Sequence, residues 1–141
     1  MAEHENLRLA RESIEAWSAH DPDRLTKIVD EKFVAESDTL PASVNGPRGL
    51  AQFMNVYVTA FPDLRFEIEQ QLADGDFVVT RWIATGTHRG VLMGIQPTNR
   101  RAVTHGCTVS QFQNGKVIHD WIYWDSGNLL RQLGVLPTAN Y

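Results

Sequence analysis

Two carboxylates, Asp120 and Asp125, stand among Trp121, Tyr123 and Trp124 in the stretch NGKVIHDWIYWDSGNLLRQLG, residues 114–134. A carboxylate surrounded by rings is costly to desolvate unless it is paired or protonated. Burial raises its pKa, so such a group can take up and return a proton near neutral pH. Asp120 is therefore the first candidate for acid–base chemistry. The bland alternative is a buried ion pair with Arg81 or Arg101. Asp125 is the second candidate. It sits where a strand gives way to a short helix, a position at which Asp also serves as an N-cap. His105 and His88 are candidate proton-transfer helpers, because imidazole titrates near neutrality. The commoner state of such a histidine is to hold a backbone carbonyl. The five histidines are scattered and show no H-x-x-x-H spacing, so no metal site is expected.

The elements that must position these groups can be read from spacing. Asn114-Gly115 is the pair favoured by a two-residue hairpin turn, where both central positions need positive φ. In the strand that follows, Ile118, Asp120, Ile122 and Trp124 alternate onto one face. Val117, His119, Trp121, Tyr123 and Asp125 alternate onto the other. Leu7, Ala10, Ile14 and Trp17 predict a helix over about residues 4–19. Asp21-Pro22 starts a second, with Leu25, Ile28 and Val29 as its buried stripe. A strand is expected at Phe33–Asp38, then a loop at Thr39–Gly46. Pro47 opens a third helix with a broad apolar face that includes Phe53 and Tyr57, closed by Pro62. Leu64, Phe66 and Ile68 alternate with charged residues as a half-buried strand. A turn follows at Asp74-Gly75, then long strands at Phe77–Thr87 and Arg101–Gln113. Gly134 stops a closing helix. Helices first, then a strand meander, make an α+β fold: a curved antiparallel sheet wrapped on N-terminal helices, with a cone-shaped hollow suited to an apolar small molecule.

Composition narrows the partners. The chain has 141 residues, 43% apolar and 21% charged, which suits one domain over 1–141 with one core. A formal charge of -4 argues against nucleic acid or an anionic membrane. No run approaches a membrane span, and the charged N-terminus is no secretory signal. The lone Cys107 can form no internal disulfide, so a cytoplasmic location is expected. Aromatic residues on both faces of the last strand suggest one face for a pocket and one for a second subunit, hence a homodimer.

Several motifs carry a resemblance. They are Ala60-Phe61-Pro62-Asp63-Leu64, Gly86-Thr87-His88-Arg89-Gly90, Met93 to Arg100 (MGIQPTNR), Asn114-Gly115-Lys116-Val117 and the tail Leu130-Arg131-Gln132-Leu133-Gly134. Together with the element order they resemble the SnoaL-like polyketide cyclases of the nuclear transport factor 2 superfold. The resemblance implies a cofactor-free enzyme that closes a ring by aldol chemistry. It places Trp17 and Phe53 in the pocket lining. It also puts Ile122 where the cyclases carry their acid, and Thr108 where some carry a histidine. An acid three residues beyond Ile122 is kept as Asp125. If Ile122 faces the pocket, Asp120, one pleat earlier, does too. In the ketosteroid isomerase branch the base is an acid near the end of the first strand, where Glu36 and Asp38 lie. Thr39, Pro41 and Ser43 after them favour an Asx turn instead.

The expectation is an acid–base cyclase or isomerase acting on an apolar carbonyl compound. Asp120, Asp125 and His105 are its candidate catalytic groups. Trp17, Phe53, Tyr57, Trp82, His88, Thr108, Ile122 and Trp124 are candidates for the substrate pocket. No cofactor is expected. The alternative is a small-molecule-binding protein with the same pocket and no catalysis, which Ile122 favours. Epoxide hydrolysis would need two acids and an Arg around one water, which Asp120 and Arg81 supply only in part.

Overall fold

A computed structural model describes residues 2–137. Helix α1 (Ala2–Ser18) buries Asn6, Ala10 and Ile14 at i+4 spacing, and also Ala16. It stops at His20, which takes φ 56° and donates from Nε2 to the Leu64 carbonyl, 2.7 Å away. Asp21 then caps α2 (Pro22–Thr26), accepting from the Arg24 amide at 3.1 Å, with Pro22 in the first turn. The helix is only five residues long. Val29, expected on its stripe, already belongs to β1 (Val29–Glu36), so this strand begins four residues earlier than the Phe33 start expected. Part of the expected loop pairs as a two-residue strand, β2 (Val44–Asn45). Helix α3 (Gly46–Ala60) follows with Pro47 in its first turn.

Strands β3 (Arg65–Asp74), β4 (Phe77–Thr87), β5 (Arg101–Gln113) and β6 (Lys116–Trp124) form the meander, and α4 (Ser126–Gln132) closes it. The six strands lie in the order β2-β1-β6-β5-β4-β3 in one curved, unclosed sheet. Neighbours are antiparallel except β1 and β6, which run parallel. A parallel pair needs a long crossover, and everything from β2 to β5 supplies it here. Asn114 and Gly115 both have positive φ, 53° and 77°, as the hairpin turn requires. The first hairpin turns one residue later than expected. Asp74 pairs with Phe77, so Gly75 and Asp76 are central, with φ positive at Gly75.

Two bulges decide which side chains face inward. In β3, Ile68 opposes Trp82 and Gln70 opposes Arg81, leaving Glu69 as the extra residue. In β6, Val117 opposes Phe112 and His119 opposes Gln111, leaving Ile118 as the extra residue. The simple alternation expected along β6 is corrected by this bulge. Val117 and Asp120 are an odd number apart, yet both line the interior. The helices cover the concave face, and the core runs from Leu25, Phe33, Leu50 and Met54 at one end to Phe61, Trp82, Leu129 and Leu133 at the other. Among the described residues, no helix is long and apolar enough to cross a membrane.

Candidate functional site

The concave face of the sheet and helices α1 and α3 enclose an apolar hollow. About 120 Å³ of it is open to the centres of water-sized molecules, room for several waters or a small organic ligand rather than one water. Trp17 from α1 and Phe53 and Tyr57 from α3 form one wall as a chain of edge-to-face rings, with centroids 5.6 and 5.3 Å apart. Tyr57 also meets Trp124 of β6, at 6.2 Å. Burial pushes the Tyr57 phenol up, so it stays a neutral hydroxyl at neutral pH.

The opposite wall is the sheet. On β4 and β5 the inward positions are even-numbered: Thr80, Trp82 and Ala84 on one strand, Thr104, Thr108 and Ser110 on the other. Gly106 interrupts the second row for a reason. A Cβ there would fall inside the Trp82 ring, so the absent side chain lets the indole lie across the strand. The indole Nε1–H then donates to Thr108 Oγ1 at 3.0 Å.

Asp120 comes from β6 directly opposite Ser110 on β5 and beside Ala35 on β1. Ser110 Oγ donates to its Oδ1 at 2.6 Å. The carboxyl is enclosed by protein, and the surface it retains faces the hollow. Burial pushes its pKa up to about 6, while the Ser110 hydroxyl and the nearby His119 each pull it part way back. Neither arginine considered as a partner is paired with it. Arg81 lies on the outer face, donating from Nε to Gln70 at 3.0 Å and lying 3.6 Å from Glu69, and Arg101 is exposed.

The structure thus brings Asp120, Trp17, Phe53, Tyr57, Trp82, Thr108, Ile122 and Trp124 together around one space. It puts three expected site residues elsewhere. Asp125 caps α4, accepting from the Asn128 amide at 2.9 Å, with its side chain 68% exposed and Arg131 at 3.8 Å. His105 points away from the hollow, since it is odd-numbered on β5. It is 67% exposed and lies 3.5 Å from Glu69. His88 is fully buried but stands behind Phe61, ring to ring at 5.4 Å, and its Nδ1 accepts from the Thr98 amide at 3.2 Å. Glu36 pairs with His119 at 2.5 Å, and Asp38 is exposed. The turn after β1 is held by Ser37, whose hydroxyl accepts from the Thr39 amide at 3.3 Å, rather than by an Asx residue.

Ser110 is the site residue that sequence reasoning missed. Counting back from the Asn114-Gly115 turn without a bulge sets Val109 opposite Asp120. The extra residue Ile118 moves that partner to Ser110. Phe61, Leu64 and Phe66 were also not foreseen as lining residues.

Similarity to known proteins agrees with this architecture. Among curated protein sequences, none matches the chain. AclR of Streptomyces galilaeus, which carries a provisional hydroxylase name, superposes with a TM-score of 0.86 at 31% identity, over 98% of this chain and 90% of that one. A SnoaL-like protein from Jannaschia sp. CCS1, provisionally named a polyketide cyclase, gives 0.87 at 20% identity, over 96% and 95%. IdmH from Streptomyces antibioticus, likewise provisionally a polyketide cyclase, gives 0.80 at 24% identity, over 92% and 99%. The profile of the SnoaL-like polyketide cyclases matches residues 7–133. With nearly the whole length matched and an aromatic hollow of the expected build, this chain belongs to the SnoaL-like polyketide cyclase family.

Proposed function

We propose that the chain is a cofactor-independent acid–base enzyme that abstracts a proton next to a carbonyl of an apolar, polyketide-like small molecule, leading to aldol ring closure or isomerisation. The observation that carries this reading is Asp120, a carboxylate with pKa about 6, held by Ser110 inside an apolar hollow. The carboxylate takes the proton from the α-carbon. The C–H electron pair becomes the new C=C bond, and the carbonyl π pair moves onto oxygen as an enolate. In a cyclisation the enolate carbon attacks a second carbonyl of the same molecule, and the alkoxide formed takes the proton back from Asp120. The base stands one pleat from the position at which Ile122 replaces the acid of the cyclases.

The test uses 2-tetralone, an apolar ketone with acidic α-hydrogens, and follows their exchange in D₂O by proton NMR. The wild-type chain is expected to accelerate exchange, and Asp120→Asn to abolish the acceleration. Wild-type exchange in Asp120→Asn would remove Asp120 from the mechanism. A second reading, a ligand-binding protein without catalysis, is favoured by Ile122 lining the hollow where the family acid is expected. Binding of 2-tetralone without any acceleration of exchange would select it.

Two further parts of the reading concern the setting. The outer face of the sheet carries Trp121 stacked on His119 at 4.0 Å, with Phe77 and Tyr123 exposed by 41% and 55%. We assign this face to pairing with a second copy of the chain. Light scattering on a size-exclusion column that shows only monomer at micromolar protein would refute it. The single Cys107 suits a reducing cytoplasm.

A further inference from the structure

The hydroxyl of Thr108 has one hydrogen to give and two lone pairs. Trp82 occupies one lone pair with its Nε1–H, at 3.0 Å. Among the described residues Thr108 makes no other side-chain hydrogen bond, and it lines the hollow. The indole is itself fixed. It is 6% exposed, it lies in the space left by Gly106, and Phe66 meets it edge-on at 5.1 Å. An N–H arriving from one side turns the Thr108 hydrogen away from Trp82. Thr108 therefore presents a donor to the hollow, and a rigid neighbour sets its direction.

Its position relative to Asp120 is defined by register. Thr108 opposes Ile122, and Ser110, two residues along, opposes Asp120. Thr108 and Asp120 are thus diagonal neighbours across one strand pair on the same face, about 7–8 Å apart with their Cβ atoms somewhat closer. A ketone oxygen and its α-carbon, with one hydrogen-bond-length contact beyond each, span a gap of that size.

We infer that Thr108, aimed by Trp82, is the hydrogen-bond donor that receives the substrate's carbonyl oxygen and holds it as charge develops there, so that the ligand class is a planar ketone whose α-carbon faces Asp120. This rests on the acid–base reading above and adds the group that stabilises the enolate oxygen. A preset donor favours an acceptor-only oxygen over a hydroxyl that must donate. The site thereby selects ketones and phenolates over alcohols of the same shape.

The probe is 4-nitrophenol, a planar mimic of an enolate whose ionised form absorbs in the visible. Its control is 4-nitrotoluene, which has similar shape and no oxygen at that position. Binding is measured in the Asp120→Asn chain, so that the outcome does not depend on whether Asp120 is the base. Adding Thr108→Val should weaken 4-nitrophenolate binding about tenfold or more and shift the bound probe toward its neutral form, because a hydrogen bond to a charged oxygen is lost. Loss for 4-nitrotoluene should stay under about twofold, since Val has nearly the shape of Thr and this probe has no oxygen to receive the hydroxyl hydrogen. Thr108→Ser should restore phenolate binding, and Trp82→Phe should weaken it while leaving Thr108 in place. Equal losses for both probes, no loss on Thr108→Val, or no saturable binding of 4-nitrophenol to Asp120→Asn would each overturn the inference. Failure of the acid–base reading appears separately, in the 2-tetralone exchange.

Discussion

Ser110 Oγ donates to Asp120 Oδ1 at 2.6 Å across the β5–β6 pair. The hydroxyl stabilises the ionised carboxyl and so works against the burial that raises its pKa to about 6. Removing it leaves burial less opposed. Ser110→Ala is therefore expected to move the Asp120 titration above 6. Because the base must be ionised to act, the rising limb of 2-tetralone exchange against pH should shift to higher pH. The rate at pH 7 should fall and recover at higher pH. An unmoved limb would show that the titrating group is not Asp120.

That pair also marks the limit of what the sequence discloses. The turn at Asn114-Gly115 and the bounds of β4 and β5 are legible, because turn residues and β-branched alternation are local signals. The bulge at Ile118 is not, because nothing in its composition announces an extra residue, and one such residue re-pairs everything beyond it. Alternation beyond the bulge does keep Asp120 and Ile122 on one face, but it hides Ser110 as the partner of Asp120 and sets Val117 on the opposite face from them. Strand β2 and the parallel contact of β1 with β6 are set by distant packing rather than by local pattern. His105 is a different case. It is an odd number of residues from Thr108 on an unbulged part of β5, so strand parity alone separates the two. For His88 the missing information is depth: Phe61 lines the hollow and His88 packs against its ring without reaching it.

Asp120 should destabilise the fold at neutral pH. In the unfolded chain its carboxyl titrates near the ordinary value of 3.8, and in the fold at about 6. Between those values the fold holds a proton that the unfolded chain releases, so stability falls as pH rises through this window and the loss is complete above it. The shift corresponds to roughly 3 kcal/mol. Asp120→Asn keeps an acceptor for Ser110 and carries no charge. Its melting temperature at pH 7.5 should exceed that of the wild type by about 10 °C, the change such an energy gives in a chain of this size. The two should converge toward pH 4. A variant that melts at or below the wild type at pH 7.5 would contradict the burial of an ionised Asp120.

Gly106 is expected to be intolerant of any side chain. Its backbone is not in the left-handed region, so the cost comes from space: an added Cβ collides with the Trp82 indole. Gly106→Ala must push the ring off the strand. Overpacking of this kind costs about 1–3 kcal/mol. The displaced indole also loses its 3.0 Å bond to Thr108. Chemical denaturation should show the loss of stability, and tryptophan fluorescence a changed environment in the folded protein. Paired with Trp82→Phe, which removes part of the obstructing ring, the alanine should be better tolerated, as coupled neighbours are.

Asp125 separates a structural acid from a chemical one. It lies five residues beyond Asp120, yet its carboxylate turns outward to the first turn of α4, accepting from Asn128 at 2.9 Å. Asp125→Ala removes that cap, and loss of an N-cap typically costs about 1 kcal/mol. Asp125→Ser supplies another capping oxygen and should recover most of it. Leu129 and Leu133, which α4 and its C-terminal end bury against the core, stay in place in either variant. The exchange rate of 2-tetralone per folded molecule should therefore match the wild type in both. A loss of exchange in Asp125→Ser at full stability would instead make Asp125 part of the chemistry, with α4 displaced when substrate is bound.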